Sequence, residues 1–475
     1  MVNVLEPVED PVPDYGVDDV VVTESGVIRR AIGAAAIGNI TEWYDFGVYA
    51  YFEPTIREVF FSGLGQTAGT IATFGLFAVA FLVRPFGGMF FGPLADRIGR
   101  NKVLATTMIL MALGTFSIGC IPSQSHIGLW APMLLLLARL VQGFSTGGEY
   151  GNAMTFIAEY APDRRRGFLG SWLEFGTFVG YLMGAIIVTV AGATLSHDQL
   201  LGWGWRIPFF VALPLGIVGV YLRTRLADTP AYIALEERSA EREKASKSGK
   251  SGHEARRLTA LWPFVAVCMG LVIVWNVTNY MLTSYMPTYV TETVPNATGG
   301  GVSATASQWI QIAVMVVALF TIPFLGMLSD RIGRKPLAWT GVAGLILLSF
   351  PMIWLIRAQS LWSVFVGLLL MGLVLITFSA TMPSTLPSLF PTQVRGAGLS
   401  VSFNVAVSLF AGTTSVVVGA LVGATGDLNW PAYYLVGAGV IGAAALLFLK
   451  EPNGERMWGS APAAHDEEEA RELVA

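Results

Sequence analysis

A short charged sequence, Gly92-Pro-Leu-Ala-Asp96-Arg97-Ile-Gly99-Arg100, returns in the second half of the chain as Gly326-Met-Leu-Ser-Asp330-Arg331-Ile-Gly333-Arg334. Each copy joins two long apolar stretches. Matching charged turns at corresponding places in two halves mark a duplicated membrane protein. A second echo supports the duplication. Pro162-Asp-Arg-Arg-Arg-Gly167 and Pro391-Thr-Gln-Val-Arg395-Gly396 each precede a Gly-rich apolar stretch, at nearly the same offset as the first pair.

The composition agrees. The 475 residues are 53% hydrophobic and 13% charged, against about 25% charged in a typical soluble protein. The net charge of -4 is small, and no basic face with interleaved aromatics suggests nucleic acid. Cys120 and Cys268 sit singly in apolar runs, as small core residues rather than a disulfide or metal site. No metal or cofactor is expected. Residues 1–28 are acidic and Pro-rich, which suits a disordered tail and not a signal peptide.

A membrane helix needs roughly 20 apolar residues. Twelve such spans are expected, at about 31–54, 68–92, 103–121, 127–150, 168–193, 205–223, 260–288, 306–328, 337–356, 361–386, 397–422 and 431–449. A basic linker, 224–258, separates a six-helix bundle at 29–223 from a second at 259–450, and a short tail covers 451–475. Lys and Arg concentrate in one set of loops: Arg97, Arg100 and Lys102, Arg164 to Arg166, the central linker, Arg331 to Lys335, and Arg395. The opposite loops hold only Arg57, Arg206 and Arg357. The positive-inside rule then puts both termini in the cytoplasm. The expected fold is all-α, twelve helices in two bundles related by a pseudo-two-fold axis, in a bacterial-type inner membrane.

The doubled loop and the twelve spans resemble the major facilitator superfamily. Gly38-Asn-Ile-Thr-Glu-Trp-Tyr-Asp-Phe-Gly-Val-Tyr49, Val83-Arg-Pro-Phe-Gly-Gly88, Gln142-Gly-Phe-Ser-Thr-Gly-Gly-Glu149 and Trp205-Arg-Ile-Pro208 are similar to its metabolite–proton symporters. Asn276-Val-Thr-Asn-Tyr-Met-Leu-Thr-Ser-Tyr-Met-Pro287 and Phe403-Asn-Val-Ala-Val-Ser-Leu-Phe-Ala-Gly-Thr-Thr414 narrow the likeness to the osmoprotectant branch, which imports proline, glycine betaine and ectoine. The resemblance implies proton symport by alternating access, with small solutes and protons as partners and the bilayer as the setting. Some members of that branch carry a long C-terminal coiled coil that tunes osmotic activation. Here Asp466-Glu-Glu-Glu-Ala-Arg-Glu-Leu-Val474 suits two helical turns, without sustained heptads.

The same resemblance gives the doubled loops a gating role on the cytoplasmic side. Gly92 and Gly326 allow close helix approach. Asp96 and Asp330 are suited to cap helix starts or pair with arginines, working with Arg97, Arg100, Glu149, Arg166, Arg331, Arg334 and Arg395. The acids are not needed for topology, which makes them the expected latch.

A charge at mid-membrane costs roughly 2.5–3.5 kcal/mol on insertion scales and usually marks function. The candidates are Glu42, Asp45, Arg84, Arg139, Glu149 and Glu174. At about 100° per residue, Asn39, Glu42, Trp43, Phe46, Tyr49 and Ala50 share one stripe of the first span, with Asp45 to one side. Glu42 and Asp45 are the expected proton-coupling acids, with Arg139 as their charge partner. The alternative for each is a static pair that fixes packing. Arg84, before Pro85, reads as structural, bonded to backbone carbonyls or Asp45.

A zwitterionic solute has a cationic nitrogen, which suits an aromatic cage, and a carboxylate, which suits Arg, amide or hydroxyl donors. Expected pocket residues are Asn39, Trp43, Phe46, Tyr49, Trp172, Phe175, Trp275, Asn276, Asn279, Tyr280 and Asn404. Tyr285 and Trp309 read as interfacial belt residues. Gly143, Gly147 and Gly151 form a small-xxx-small run for close packing. Competing readings are an organic-acid symporter and a membrane solute sensor. An enzyme is disfavoured, because there is no Gly-x-Ser-x-Gly elbow, His–Glu metal pair or Cys–His constellation. Nothing in the sequence specifies an oligomeric state.

Overall fold

The computed structural model describes residues 20–22, 25–98, 100–147, 149–224, 261–299, 301–392 and 394–474. The expected 224–258 linker lies almost wholly outside these residues, as does most of the 1–28 tail. The first helix begins at Ser25, a few residues before the expected start of the first bundle.

Helices dominate the chain. Those of 8 residues or more are, in order, α1 (Ser25–Tyr51), α2 (Glu53–Phe60), α3 (Gln66–Leu82), α4 (Arg84–Ile98), α5 (Arg100–Cys120), α6 (Trp130–Ser145), α7 (Glu149–Tyr160), α8 (Arg166–Thr194) and α9 (Ile207–Thr224). Beyond the linker come α10 (Trp262–Tyr280), α11 (Ala304–Ile332), α12 (Arg334–Arg357), α13 (Leu361–Thr385), α14 (Arg395–Ala406), α15 (Thr414–Thr425), α16 (Trp430–Phe448) and a short α17 (Glu467–Val474).

Each expected span corresponds to one helical run, some of them broken. α3 and α4 meet at Val83, α6 and α7 at Thr146, and α14 and α15 join through a π-helical turn, Val407–Ala411. Among the described residues, nine runs have the length and apolarity to cross a bilayer. The others correspond to α1, α5 and α6–α7. In α1 the cause is visible in the sequence, since Arg29, Arg30, Glu42 and Asp45 interrupt its apolar length.

The run that starts at Trp262 continues through two π-helical turns, Met281–Tyr285 and Tyr289–Thr293, as far as Thr298. It therefore extends ten residues past the expected end at 288. This corrects the reading of Tyr285. It is not a belt residue but is 1% exposed, packed against Phe74 and Tyr289. Trp309 is 53% exposed.

The burial pattern is that of a protein whose solvent is lipid. Phe86, Met89, Phe320, Phe324, Leu347 and Leu447 are exposed, while the guanidinium groups of Arg84 and Arg139 are fully buried. Small residues make the close crossings. A Cβ added at Gly143 would lie 1.9 Å from the Ala80 carbonyl oxygen, and one at Gly147 would lie 2.0 Å from that of Arg84. α3, the α3–α4 break and α6 are thus locked backbone to backbone, which fixes where Arg84 emerges. Gly326 of α11 makes a similar crossing with α8, beside Ser171 and the Gly167 carbonyl.

The first and last described segments meet on one face. Val21–Val22 (β1) pairs in parallel with Ala463–Ala464 (β2), and Ala470 of α17 packs against them with Val20. The Glu469 amide donates to Asp466 Oδ1 at 2.9 Å. This capping bond, with the neighbouring His465, holds the Asp466 carboxyl below its usual range.

Candidate transport site and its gates

The centre of the molecule is a packed set of charges and rings between the two groups of helices. The stripe of α1 faces inward, with Asn39, Glu42, Trp43, Phe46 and Tyr49 all buried. Glu42 accepts from Arg84 Nη2 at 2.8 Å. The helix break at Val83 and the following Pro85 turn Arg84 toward α1, so its partner is Glu42 and not Asp45 or a backbone carbonyl. Asp45 faces Arg139 Nη1 at 3.7 Å, and Gln142 joins the two. Gln142 Nε2 donates to Asp45 Oδ2 at 2.7 Å and to Thr115 Oγ1 at 2.8 Å, while its Oε1 accepts from Arg139 at 2.9 Å. The centre therefore holds two buried acid–arginine pairs. Arg139 faces Asp45, and Glu42 is paired with Arg84.

Aromatic rings close around both cations. The Arg84 guanidinium carbon is 4.7 Å from the Phe81 ring centre, 4.9 Å from Phe46 and 6.0 Å from Trp43. That of Arg139 lies 3.7 Å over Tyr49. Tyr280 packs on Phe81 at 5.0 Å and on Trp43 at 6.2 Å. Phe77 and Phe81 were missed in the sequence reading. Their signal was present, since they repeat at helical spacing on α3, but an apolar ring on an apolar helix carries no mark of its facing.

Several expected pocket residues are already engaged. Asn39 donates to the Leu173 carbonyl at 2.8 Å and to Thr177 Oγ1 at 2.6 Å, and accepts from Trp43 Nε1 at 2.8 Å. Trp275 Nε1 donates to Ser379 at 3.1 Å. Asn276 turns back onto Val272 O, and Asn279 reaches Tyr181 at 3.5 Å. Asn404 crosses between the halves to the Gly147 carbonyl at 2.6 Å. Trp172 and Phe175 are half-buried, pack against the core cluster and pair with each other at 4.9 Å. Glu174, on the opposite side of the same helix turn, is buried and accepts from Tyr150 and from Thr177.

Both faces are shut. On the face away from the termini, Arg57 of α2 makes a forked pair with Glu292, at 2.5 Å and 3.0 Å. Thr288 donates to Glu53 at 2.9 Å, and Gln66 to Glu292 at 3.2 Å. In the sequence Arg57 reads only as one of the three basic residues of the opposite loops. Glu292→Gln is expected to release this closure and raise the open population about fivefold, the worth of about 1 kcal/mol for a partly exposed pair. The readout is thiol labelling of Phe74→Cys, a position buried beneath the pair, in a background with Cys120 replaced. An unchanged labelling rate would remove the pair from gating.

On the terminal face, Asp330 Oδ1 and Oδ2 accept from the Gly167 and Phe168 amides at 2.7 Å and 2.8 Å. The acid of the second loop thus caps the start of α8 in the other half, where the helix dipole favours it. Arg334 Nη2 lies 3.6 Å from Asp330, and Arg334 also reaches the Ser384 and Pro452 carbonyls at 3.4 Å. Arg331 is exposed, and Glu149 is buried at the start of α7. The side chains of Gly92, Asp96, Arg97 and Arg100 lie outside the described residues, so the first copy of the loop is known here only as helix backbone.

The second echo also has a shared geometry. Arg166 pairs with Asp163, and Arg395 with Glu159 at 2.9 Å across the halves. Each then reaches the tail, Arg166 to the Glu455 carbonyl at 3.2 Å and Arg395 to the Trp458 carbonyl at 2.8 Å.

The chain and its fold have counterparts among known proteins. The chain matches the family described as "Sugar (and other) transporter" over residues 31–454. It is 44% identical over 464 residues to the glycine betaine/proline/ectoine/pipecolic acid transporter OusA of Dickeya dadantii, covering 98% of this chain and 91% of that one. It is 42% identical over 457 residues to the proline/betaine transporter of Escherichia coli, covering 96% and 90%. Among solved structures, the proton:xylose symporter XylE of the major facilitator superfamily superposes with a TM-score of 0.73 at 18% identity, covering 95% of this chain and 100% of that one. These matches are to transporters and not to enzymes. The chain is a multi-pass membrane protein with the major facilitator fold, and it belongs to the sugar (and other) transporter family.

Proposed function

We propose that the protein imports zwitterionic compatible solutes of the proline, glycine betaine and ectoine class by proton symport. The observation that carries this reading is the Glu42–Arg84 pair, buried within an aromatic box. A carboxylate, a guanidinium and rings are complementary to the cationic nitrogen and carboxylate of such a solute. The transport names carried by the 42–44% identical relatives support the same class.

Transport proceeds by alternating access, with the bundles 29–223 and 259–450 rocking about the central charges. The Lys and Arg bias makes the terminal face cytoplasmic. Asp330, and by symmetry Asp96, release when that face opens. Arg57–Glu292 releases when the outer face opens. Glu42 and Asp45 are the proton-carrying acids. A net organic anion fits less well, because Glu42 and Asp45 balance the charges of Arg84 and Arg139 and leave no net positive charge at the site.

The test is uptake of labelled betaine, proline, ectoine and α-ketoglutarate into proteoliposomes, with and without a proton gradient. Gradient-dependent uptake of the first three is expected. Preference for α-ketoglutarate would overturn the substrate class, and indifference to the gradient would overturn the coupling. Trp43→Ala is expected to weaken betaine about tenfold and proline less, because a quaternary ammonium has no N–H to bond and depends more on cation–π attraction. Equal losses in competition assays would assign Trp43 to packing.

A further inference from the structure

Arg84 has donors that the structure does not use. Its side chain is fully buried, one nitrogen bonds Glu42, and Nε and Nη1 have no hydrogen-bond partner among the described residues. The buried hydroxyl of Tyr280, whose ring packs on Phe81 and Trp43, is likewise without one. Buried donors left unbonded are costly, and a guanidinium ordinarily uses its fork on a carboxylate from two nitrogens. Here the fork is half employed. The planar cation instead fills the space among Phe81, Phe46 and Trp43. A box of this kind is what a trimethylammonium or pyrrolidinium nitrogen would occupy.

Resting on the substrate class given above, we propose that the Arg84 guanidinium is a resident stand-in for the solute's cationic nitrogen. In the empty, closed protein it fills the aromatic box and neutralises Glu42. An arriving zwitterion places its nitrogen among the rings and its carboxylate on the unused donors of Arg84, drawing the guanidinium away from Glu42. Glu42, deprived of its counter-ion, then takes the proton. Every charge has a partner before and after: Arg84 with Glu42 in the empty state, Arg84 with the solute carboxylate in the loaded one. The solute cation is then held by the rings, and Glu42 is neutral. The exchange explains how a buried ion pair is opened without stranding either charge, and it makes solute and proton arrive together.

The experiment uses the intact protein in nanodiscs and three probes measured by calorimetry. These are glycine betaine, tetramethylammonium (the cation without the carboxylate) and 3,3-dimethylbutanoate (the carboxylate with an uncharged carbon in place of nitrogen). Arg84→Ala is expected to weaken betaine at least ~100-fold, by loss of its carboxylate partner. It is also expected to tighten tetramethylammonium ~10-fold, because the box is vacated. Opposite changes are the signature of a stand-in. A purely structural arginine would lose both ligands, and tetramethylammonium binding that is unchanged or weaker overturns the proposal. Should Arg84→Ala not fold, Phe81→Ala keeps the Glu42–Arg84 pair. It is expected to weaken betaine ~10-fold and leave 3,3-dimethylbutanoate unaffected, and equal losses overturn the proposal. If the native protein binds α-ketoglutarate and none of betaine, proline or ectoine, the substrate class fails and the stand-in fails with it. If it binds betaine but the opposite changes are missing, only the stand-in fails.

Discussion

Glu42→Gln is expected to abolish uphill accumulation while leaving solute binding and exchange. The amide keeps the shape and the acceptor oxygen that faces Arg84 Nη2, but it cannot release and regain a proton within the transport cycle. A one-unit pH gradient is worth about 1.4 kcal/mol per proton, which sustains about tenfold accumulation for one proton per solute. In the variant that ratio falls to about one, while counterflow of labelled against unlabelled betaine continues. Proteoliposomes read both quantities. Undiminished accumulation would take Glu42 out of the coupling and leave Asp45 or Glu174 to carry it.

Arg139→Ala is expected to cost about 3–5 kcal/mol of stability, the usual penalty for removing one member of a buried pair. Asp45 has one oxygen held by Gln142 and the other without a hydrogen-bond partner among the described residues. It would be left buried beside Gln142 and Thr115 without its arginine. Most of the loss is the stranded acid rather than the attraction itself. The double variant Asp45→Asn with Arg139→Gln should therefore recover most of the thermal midpoint in detergent. A double variant as unstable as the single one would show that Arg139 acts by filling space over Tyr49.

The spans and their duplication were legible because hydropathy and charged loops are local properties of a sequence. The inward stripe of α1 was legible for the same reason: 3.6-residue periodicity fixes a face without reference to any partner. Pairings between helices were another matter. Glu42 and Asp45 lie three residues apart, and the choice between Arg84 and Arg139 depends on the break at Val83 and on the depth at which α3 crosses α6. That depth is set by the contacts of Gly143 with Ala80 and of Gly147 with Arg84. Gln142 carries no mark of its role in the sequence, yet it links both members of the second pair. Asn404 reads as a pocket amide until its cross-half bond to Gly147 is seen. Trp172 and Phe175 show the limit of composition. They share a helix with Glu174 but point elsewhere, and aromatic content alone does not distinguish the two sides. The outer pair is not legible in the sequence because Arg57 and Glu292 lie far apart in it, one in α2 and the other in the π-helical turn Tyr289–Thr293.

The segment from Glu455 to Ala464 has a mechanical meaning beyond its individual bonds. It is tied to one half through Arg166 and through the Ala463 amide on Asp163, to the other through Thr392 and Arg395, and to the start of the chain through the Val21–Val22 ladder. It is therefore a tether of fixed length laid across the seam that must widen when the cytoplasmic face opens. A tether anchored on both banks sets the maximum stroke of the rocking motion unless one mooring lets go. The ladder makes Val21–Val22 part of the same mooring, so a load on that strand and a load on the tail would pull on one knot.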